Sequence, residues 1–319
     1  MAVPPLPVSA EAPAPAPVVP AARPGQVPQA TPFARRVCFA AVGLVAVTDT
    51  DDERPEVDWA ASWALRRRLH DAGFPLAESL DLAQRERFGW EALERCLAER
   101  ASRGLPAGFL FGAGAEHLPP APSIPELVAG VVWQAQLIER AGGVPVLLPL
   151  VPLARRRASE REHVEVYREL LGRVNGPVLL ERLGPGTTPA LDGSFPGESF
   201  ERVLEIDPAK VRGARVSRLA PNVVARLRAT LPERGQILFV GDDPRFARTL
   251  VGRGRGSSIT ELAGRSLALG DFAHGISGFV EPLLAPLTRL LARIEVGDEP
   301  DALELETLDG EMGRLLERS

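Results

Sequence analysis

"GARVSRLAPNVVARLRATLPERGQILFVGDD" (213–243) decides the fold. Residues 213–219 form a short run of small and branched apolar side chains, suited to a buried strand. Residues 222–230 carry a helical period, and "QILFVGDD" (236–243) is a second buried-strand run. Two such strands joined by a helix read as a parallel βαβ unit, because parallel neighbours need a crossover that a tight turn cannot supply.

The same phrase recurs in both directions. "VCFAAVGLVAV" (37–47) is a continuous apolar run, "DWAASWALRRRLHDAG" (58–73) an amphipathic helix and "GFPLAES" (73–79) a short strand. "GWEALERCLAERASRG" (89–104) reads as a helix and "AGFLFGAG" (107–114) as a strand. Ser123 with Glu126, and Ser159 with Glu162, form capping-box spacings at the starts of two further helices. The strands "VPVLLPL" (144–150) and "PVLLERLG" (177–184) follow those helices, and the stretch from Gly275 onward reads as helical to the end. Seven strand candidates at a spacing of roughly 30 to 35 residues predict a parallel α/β architecture. A doubly wound sheet would carry a glycine fingerprint after its first strand, where this chain has "TDTDDERPE" (48–56). A (β/α)8 TIM barrel with C-terminal helices, over residues 34–319, fits better.

Residues 1–33 read differently. Ten prolines fall within the first 32 residues, which removes amide donors and fixes φ, so a disordered, extended tail rich in Pro and Ala is expected there. It lacks the basic start and apolar middle of a signal peptide, and no apolar run is long enough to span a membrane, so a cytoplasmic protein is expected. A net charge of −5 argues against nucleic acid as the main partner. Cys38 and Cys96 lie far apart with no metal-ligand spacing and read as buried free thiols. Lys210 is the only lysine in the chain.

In a barrel the chemistry belongs at the C-terminal ends of the strands. That rule gathers Asp49, Asp51, Glu78, Asp81, Glu116, His117, Glu181, Arg182, Arg215, Ser217, Asp242 and Asp243 at one rim. Glu181, Asp242, Asp243 and His117 are the candidate proton-transfer groups. Arg215, Arg182, Ser217, Glu116, Asp81 and Glu78 are the candidate substrate contacts, for a small anionic or sugar-like ligand. Arg215 has two open readings: a planar fork that clamps a carboxylate or phosphate, or a core cation that neutralises Glu181 or Asp242. Paired carboxylates can also hold a divalent cation, but no HxH or HxxxH spacing is present, so neither metal site nor cofactor is assigned. His70 and His163 are expected on outward helix faces, and His274 beside the mouth. "GRGRGSS" (252–258) reads as a flexible basic loop after strand seven, or as a phosphate-binding nest.

"LRRRLHDAGFPLAESLDLAQRE" (65–86), "GAGAEHLPP" (112–120), "QAQLIERAGGVPVLLP" (134–149), "GPVLLERLG" (176–184), "GARVSRL" (213–219) and "LFVGDD" (238–243) together resemble an uncharacterised family of dihydrodipicolinate synthase-like proteins. The likeness runs from about residue 35 to 298 and implies a class I aldolase barrel that works through a lysine imine on its sixth strand. It also implies a superfamily in which homo-oligomers are common. This chain departs from the family pattern where the chemistry sits: Arg215 stands for the lysine, Glu181 for a histidine or tyrosine, and Leu82 and Ala115 for threonines, with Glu116 for an aspartate. A guanidinium stays protonated and has no free lone pair, so Arg215 forms no imine. Lys210, five residues earlier, is expected at the opposite end of the strand. Two functions stay open: a lyase acting on a small oxo-acid or sugar-derived substrate without an imine, and a degenerate barrel that binds a ligand or partner.

Overall fold

The computed structural model describes residues 33–47, 55–185 and 187–318. The tail up to residue 32 lies outside them, as do Asp49 and Asp51.

Eight parallel strands close a barrel: β2 (Cys38–Val42), β3 (Leu76–Glu78), β4 (Leu110–Ala113), β5 (Val144–Leu147), β6 (Val178–Leu183), β7 (Val211–Ser217), β8 (Ile237–Val240) and β11 (His274–Ser277), with β11 pairing back onto β2. This is the (β/α)8 barrel that the strand spacing predicts. Side chains alternate along each strand. Phe39, Leu110, Val146, Leu179, Phe239 and Ile276 fill the interior, while Cys38, Ala40, Phe111 and Leu180 join the outer layer under the helices.

The surrounding helices are α1 (Trp59–Asp71), α2 (Leu82–Glu99), α3 (Ile124–Arg140), α4 (Val151–Arg155), α5 (Glu160–Arg173), α6 (Ser199–Leu204), α7 (Pro221–Thr230) and α8 (Phe246–Val251), followed by α9 (Leu284–Val296) and α10 (Ala302–Leu316). Both capping boxes form: the backbone N–H groups of Ser123 and Ser159 donate to Glu126 and Glu162 at 2.8 Å, and each serine hydroxyl accepts in return. Helix α2 starts earlier than its apolar period suggests. Asp81 accepts from the amides of Ala83 and Gln84 at 2.8 and 3.2 Å, and Gly89 at φ 75° breaks the helix before its predicted part begins.

Two stretches differ from expectation. The eighth barrel strand is His274–Ser277, and three of its four residues fall in the segment read as helical. It is four residues long and half glycine and serine, so its sequence carries little strand signal; the ladders of β8 and β2 on either side impose it. "GRGRGSS" is not the flexible loop after strand seven that its composition suggests. It opens β9 (Arg253–Leu262), which pairs antiparallel with β10 (Arg265–Asp271), and β10 pairs with β1 (Phe33–Ala34).

This small sheet plugs the barrel from below. β1 and β10 lead into the first and last barrel strands, and Leu262, Leu267 and Leu269 pack with Phe39 and Leu110 of the interior. Arg36 lies 3.0 Å from the Phe272 ring centre and donates to the carbonyls of Leu250 and Val251. His274 belongs here, not at the mouth: its Nδ1 accepts from Val37 N at 3.1 Å, which leaves Nε2 to donate to the Ala268 carbonyl at 2.9 Å. Burial lowers its pKa to about 4 and keeps it neutral. His163 is also buried, its ring tilted against that of Phe195, not outward-facing.

Candidate functional site

A cavity of about 810 Å³ opens at the C-terminal ends of the strands, lined by Asp81, Thr187, Thr188, Arg215, Ser217 and Asp242 among others. Its floor follows from strand register. Glu181 on β6 sits beside Arg215 on β7, and Arg215 beside Phe239 on β8, so these side chains share one inward layer. Ser217 is two residues further along β7 and forms the next layer up.

Arg215 Nη1 donates to Glu181 Oε1 in a buried ion pair. Glu181 is fully enclosed, whereas Arg215 is 7% exposed and reaches the cavity. One guanidinium donor is tied to the neighbouring Glu181, and the Arg215 side chain also lines the cavity. Glu181 Oε2, Arg215 Nε and Ser217 Oγ are buried with no hydrogen-bond partner among the described residues. Such groups carry a desolvation cost that a ligand or water can relieve.

Gly241 makes this arrangement possible. A Cβ there would stand 1.9 Å from Ser217 Oγ and 3.2 Å from Arg215 Nη2. The next residue, Asp242, accepts from Ser277 Oγ at 2.6 Å and Gly278 N at 3.1 Å, which ties the end of β8 to that of its neighbour β11. Burial raises the Asp242 pKa, with Arg215, Ser277 and Gly278 pulling the other way. Burial lowers that of Arg215, opposed by Asp242 and Asp81. A carboxyl group poised above its usual range beside a buried cation is a recurrent signature of a proton-transfer site.

Other predicted residues lie elsewhere. Glu78 points outward from β3 into a fully buried cluster with Arg66 (2.8 Å) and Arg100, and Cys96 Sγ lies 3.5 Å away. Arg182 also points outward, toward Glu201 and the Phe200 ring on α6. Asp243 accepts from Arg245 N at 2.9 Å at the start of α8 and lines a separate groove of about 940 Å³ between α7, α8 and α10.

Glu116 and His117 belong to a brace beside the mouth. Arg85, fully buried, donates to the carbonyls of Ser79 and Gly112 at the ends of β3 and β4, to Gln134 and to Glu116. Gln134 Nε2 then donates to His117 Nδ1 at 2.8 Å. Burial keeps the His117 pKa below its ordinary value, and its ring packs between Trp90 and Trp133. Lys210 lies at the opposite end of the barrel, its Nζ donating to the carbonyls of Leu171 and Val174 at 2.6 and 3.0 Å. Among the described residues, no three His, Cys, Asp or Glu side chains gather in a way that could hold a metal ion.

Sequence reasoning missed Thr187, Thr188, Phe279 and Leu316, all of which line the mouth. The glycine-rich "GPGTT" (184–188) after a strand is a signal for the threonines; Leu316, on a distant helix, gave none.

The family described as "Protein of unknown function (DUF993)" matches residues 15–298. The chain belongs to that family. No curated protein matches the sequence. Among solved structures, the chain is similar to YagE of E. coli K12, a prophage protein of the dihydrodipicolinic acid synthase family solved with pyruvate (TM-score 0.60, 17% identity, 88% of this chain and 82% of that one). It is also similar to dihydrodipicolinate synthase from Oceanobacillus iheyensis (0.58, 13%, 88% and 79%) and to 2-keto 3-deoxygluconate aldolase from Picrophilus torridus (0.53, 14%, 87% and 92%). At these identities the likeness is one of fold. The DUF993 chain shares the TIM-barrel fold of dihydrodipicolinate synthase.

Proposed function

We propose that the mouth binds a small oxo-acid and acts as an aldolase-type lyase that stabilises an enolate with Arg215 instead of an imine. The observation that carries the reading is the buried Arg215, which reaches the cavity beside the unpartnered Ser217 hydroxyl. Arg215 and Ser217 bind the substrate's carbonyl and carboxylate oxygens. In cleavage of a 4-hydroxy-2-oxo acid, the Asp242 carboxylate takes the hydroxyl proton as the C3–C4 bond breaks. The bonding pair moves through C3 to the carbonyl oxygen, and the enolate left behind is held by the guanidinium. Asp242 then returns the proton to C3. Its raised pKa makes it a stronger base than an ordinary aspartate. Glu181 holds Arg215 in place and is a positioning residue.

Pyruvate in the YagE structure and the fold shared with 2-keto 3-deoxygluconate aldolase support the ligand class. A second reading, binding without turnover, is favoured by the Arg215–Glu181 pair, which neutralises much of the cation's field. The test combines thermal-shift titration with pyruvate and a cleavage assay on 4-hydroxy-2-oxo acids. Stabilisation with turnover supports the lyase, and stabilisation alone supports the binder. A borohydride-trapped pyruvate adduct overturns the imine-free mechanism, and no shift with any oxo-acid overturns the ligand class.

A further inference from the structure

The lining of the mouth is divided by chemistry. Its polar groups are Thr187, Thr188, Arg215, Ser217, Arg218 and Asp242 on or after β6, β7 and β8, with Asp81 and Gln84 after β3. The arc after β11 and β2 is apolar, with Phe279, Leu44 and Val45, backed by Leu65 of α1. The apolar side gains one more residue from far away in the chain. Leu316, at the last turn of α10, lines both the mouth and the groove outside it, so it stands as part of the wall between them.

Helix α10 is held firmly enough to place that side chain. Leu308 and Met312 are buried in the main core, and Asp309 Oδ1 accepts from Ala247 N of α8 at 2.7 Å. The family match ends at residue 298, before α10 begins, so this part of the wall lies outside the matched region.

We infer that Leu316, with Phe279 and Leu44, selects ligands with an apolar body, so that the site takes short-chain alkyl 2-oxo acids in preference to polyhydroxylated sugar acids. The inference rests on the proposed oxo-acid reading. A sugar acid would bring hydroxyl groups against the Phe279, Leu44 and Leu316 side chains, which offer no hydrogen bonds, and each hydroxyl placed there would lose its water without replacement. An alkyl chain loses only unfavourable hydration there. Affinity should rise about fourfold for each methylene buried.

The test measures affinity of the full chain for pyruvate, 2-oxobutanoate, 2-oxopentanoate and 2-oxohexanoate, together with a six-carbon polyhydroxylated 2-oxo acid. The expected result is a rising series in which 2-oxohexanoate exceeds the hydroxylated acid by at least tenfold. Leu316→Ser should flatten the series, and Leu316→Trp should cut it off at a shorter chain; the second variant keeps the wall apolar if the first disturbs α10. A series equally steep in wild type and Leu316→Ser, or a hydroxylated acid that binds as tightly as 2-oxohexanoate, overturns the inference. If pyruvate binds and the series is flat, this inference alone falls; if no oxo-acid binds, the reading beneath it falls too.

Discussion

Arg215→Met removes the cation and leaves Glu181, which is 0% exposed, without its counter-charge. Breaking one side of a buried pair costs about 3–5 kcal/mol, mostly because the orphaned charge stays out of water. In a chain of this size each kcal/mol lowers Tm by about 2 °C, so the variant should melt about 6–10 °C below wild type. Arg215→Met combined with Glu181→Leu should recover most of that loss, because a buried pair replaced by apolar groups is often neutral in stability. The double variant then separates the two roles of the arginine. At a hundredfold excess over Kd, pyruvate should stabilise wild type by about 2.7 kcal/mol, or about 5 °C, and leave the double variant unmoved. The assay is calorimetry or dye-monitored melting, with and without ligand. A double variant as unstable as Arg215→Met would refute the ion-pair argument. One that keeps the full pyruvate shift would refute the clamp.

Three further outcomes are expected. Gly241→Ala places a methyl group 1.9 Å from Ser217 Oγ, so it should cost about 1–3 kcal/mol by denaturant unfolding, much of it relieved when Ser217→Ala removes the clashing oxygen. Glu78→Leu strands two buried arginines and should destabilise by about 3–5 kcal/mol, yet a still-folded variant at low temperature should keep its pyruvate shift, because Glu78 faces away from the mouth. Burial raises the Asp309 pKa to about 6, above its ordinary 3.8, so the native state holds this proton more tightly and the ionised group costs stability as pH rises from about 4 to 6. Asp309→Asn should therefore gain on wild type across that window, by up to about 1.4 kcal/mol per pH unit, and a pH-independent difference would count against the assignment.

The fold was legible because βαβ repetition is written locally. Each strand buried on both faces is a continuous apolar run, and each capping box marks a helix start within four residues. The eighth strand escaped because its pairing is supplied by β8 and β2 and not by "HGIS" itself. The basal plug escaped for a related reason: positive-φ residues such as Gly254 and Gly256 inside β9 read as a loop, and only pairing with β10 makes them a strand.

The site was legible to the level of strand ends and no further. Sequence position says that a residue lies near the top of a strand; the face it presents depends on the pleat, and one step of register reverses it. Glu181 and Arg182 are adjacent in sequence, yet one faces Arg215 in the barrel and the other Phe200 outside it. Asp242 and Asp243 divide in the same way between the mouth and the start of α8. The carboxylates that the strand-end rule gathers at one rim are thus sorted into two shells. The inner shell keeps one raised aspartate and one paired glutamate around a single buried arginine, while the outer shell spends Glu78 and Glu116 on fastening helices to the barrel. That sorting makes the arginine's substitution for lysine chemically coherent. A buried guanidinium without Glu181 beside it would be too costly to keep, and with every carboxylate around it the cation would have no field left for a ligand.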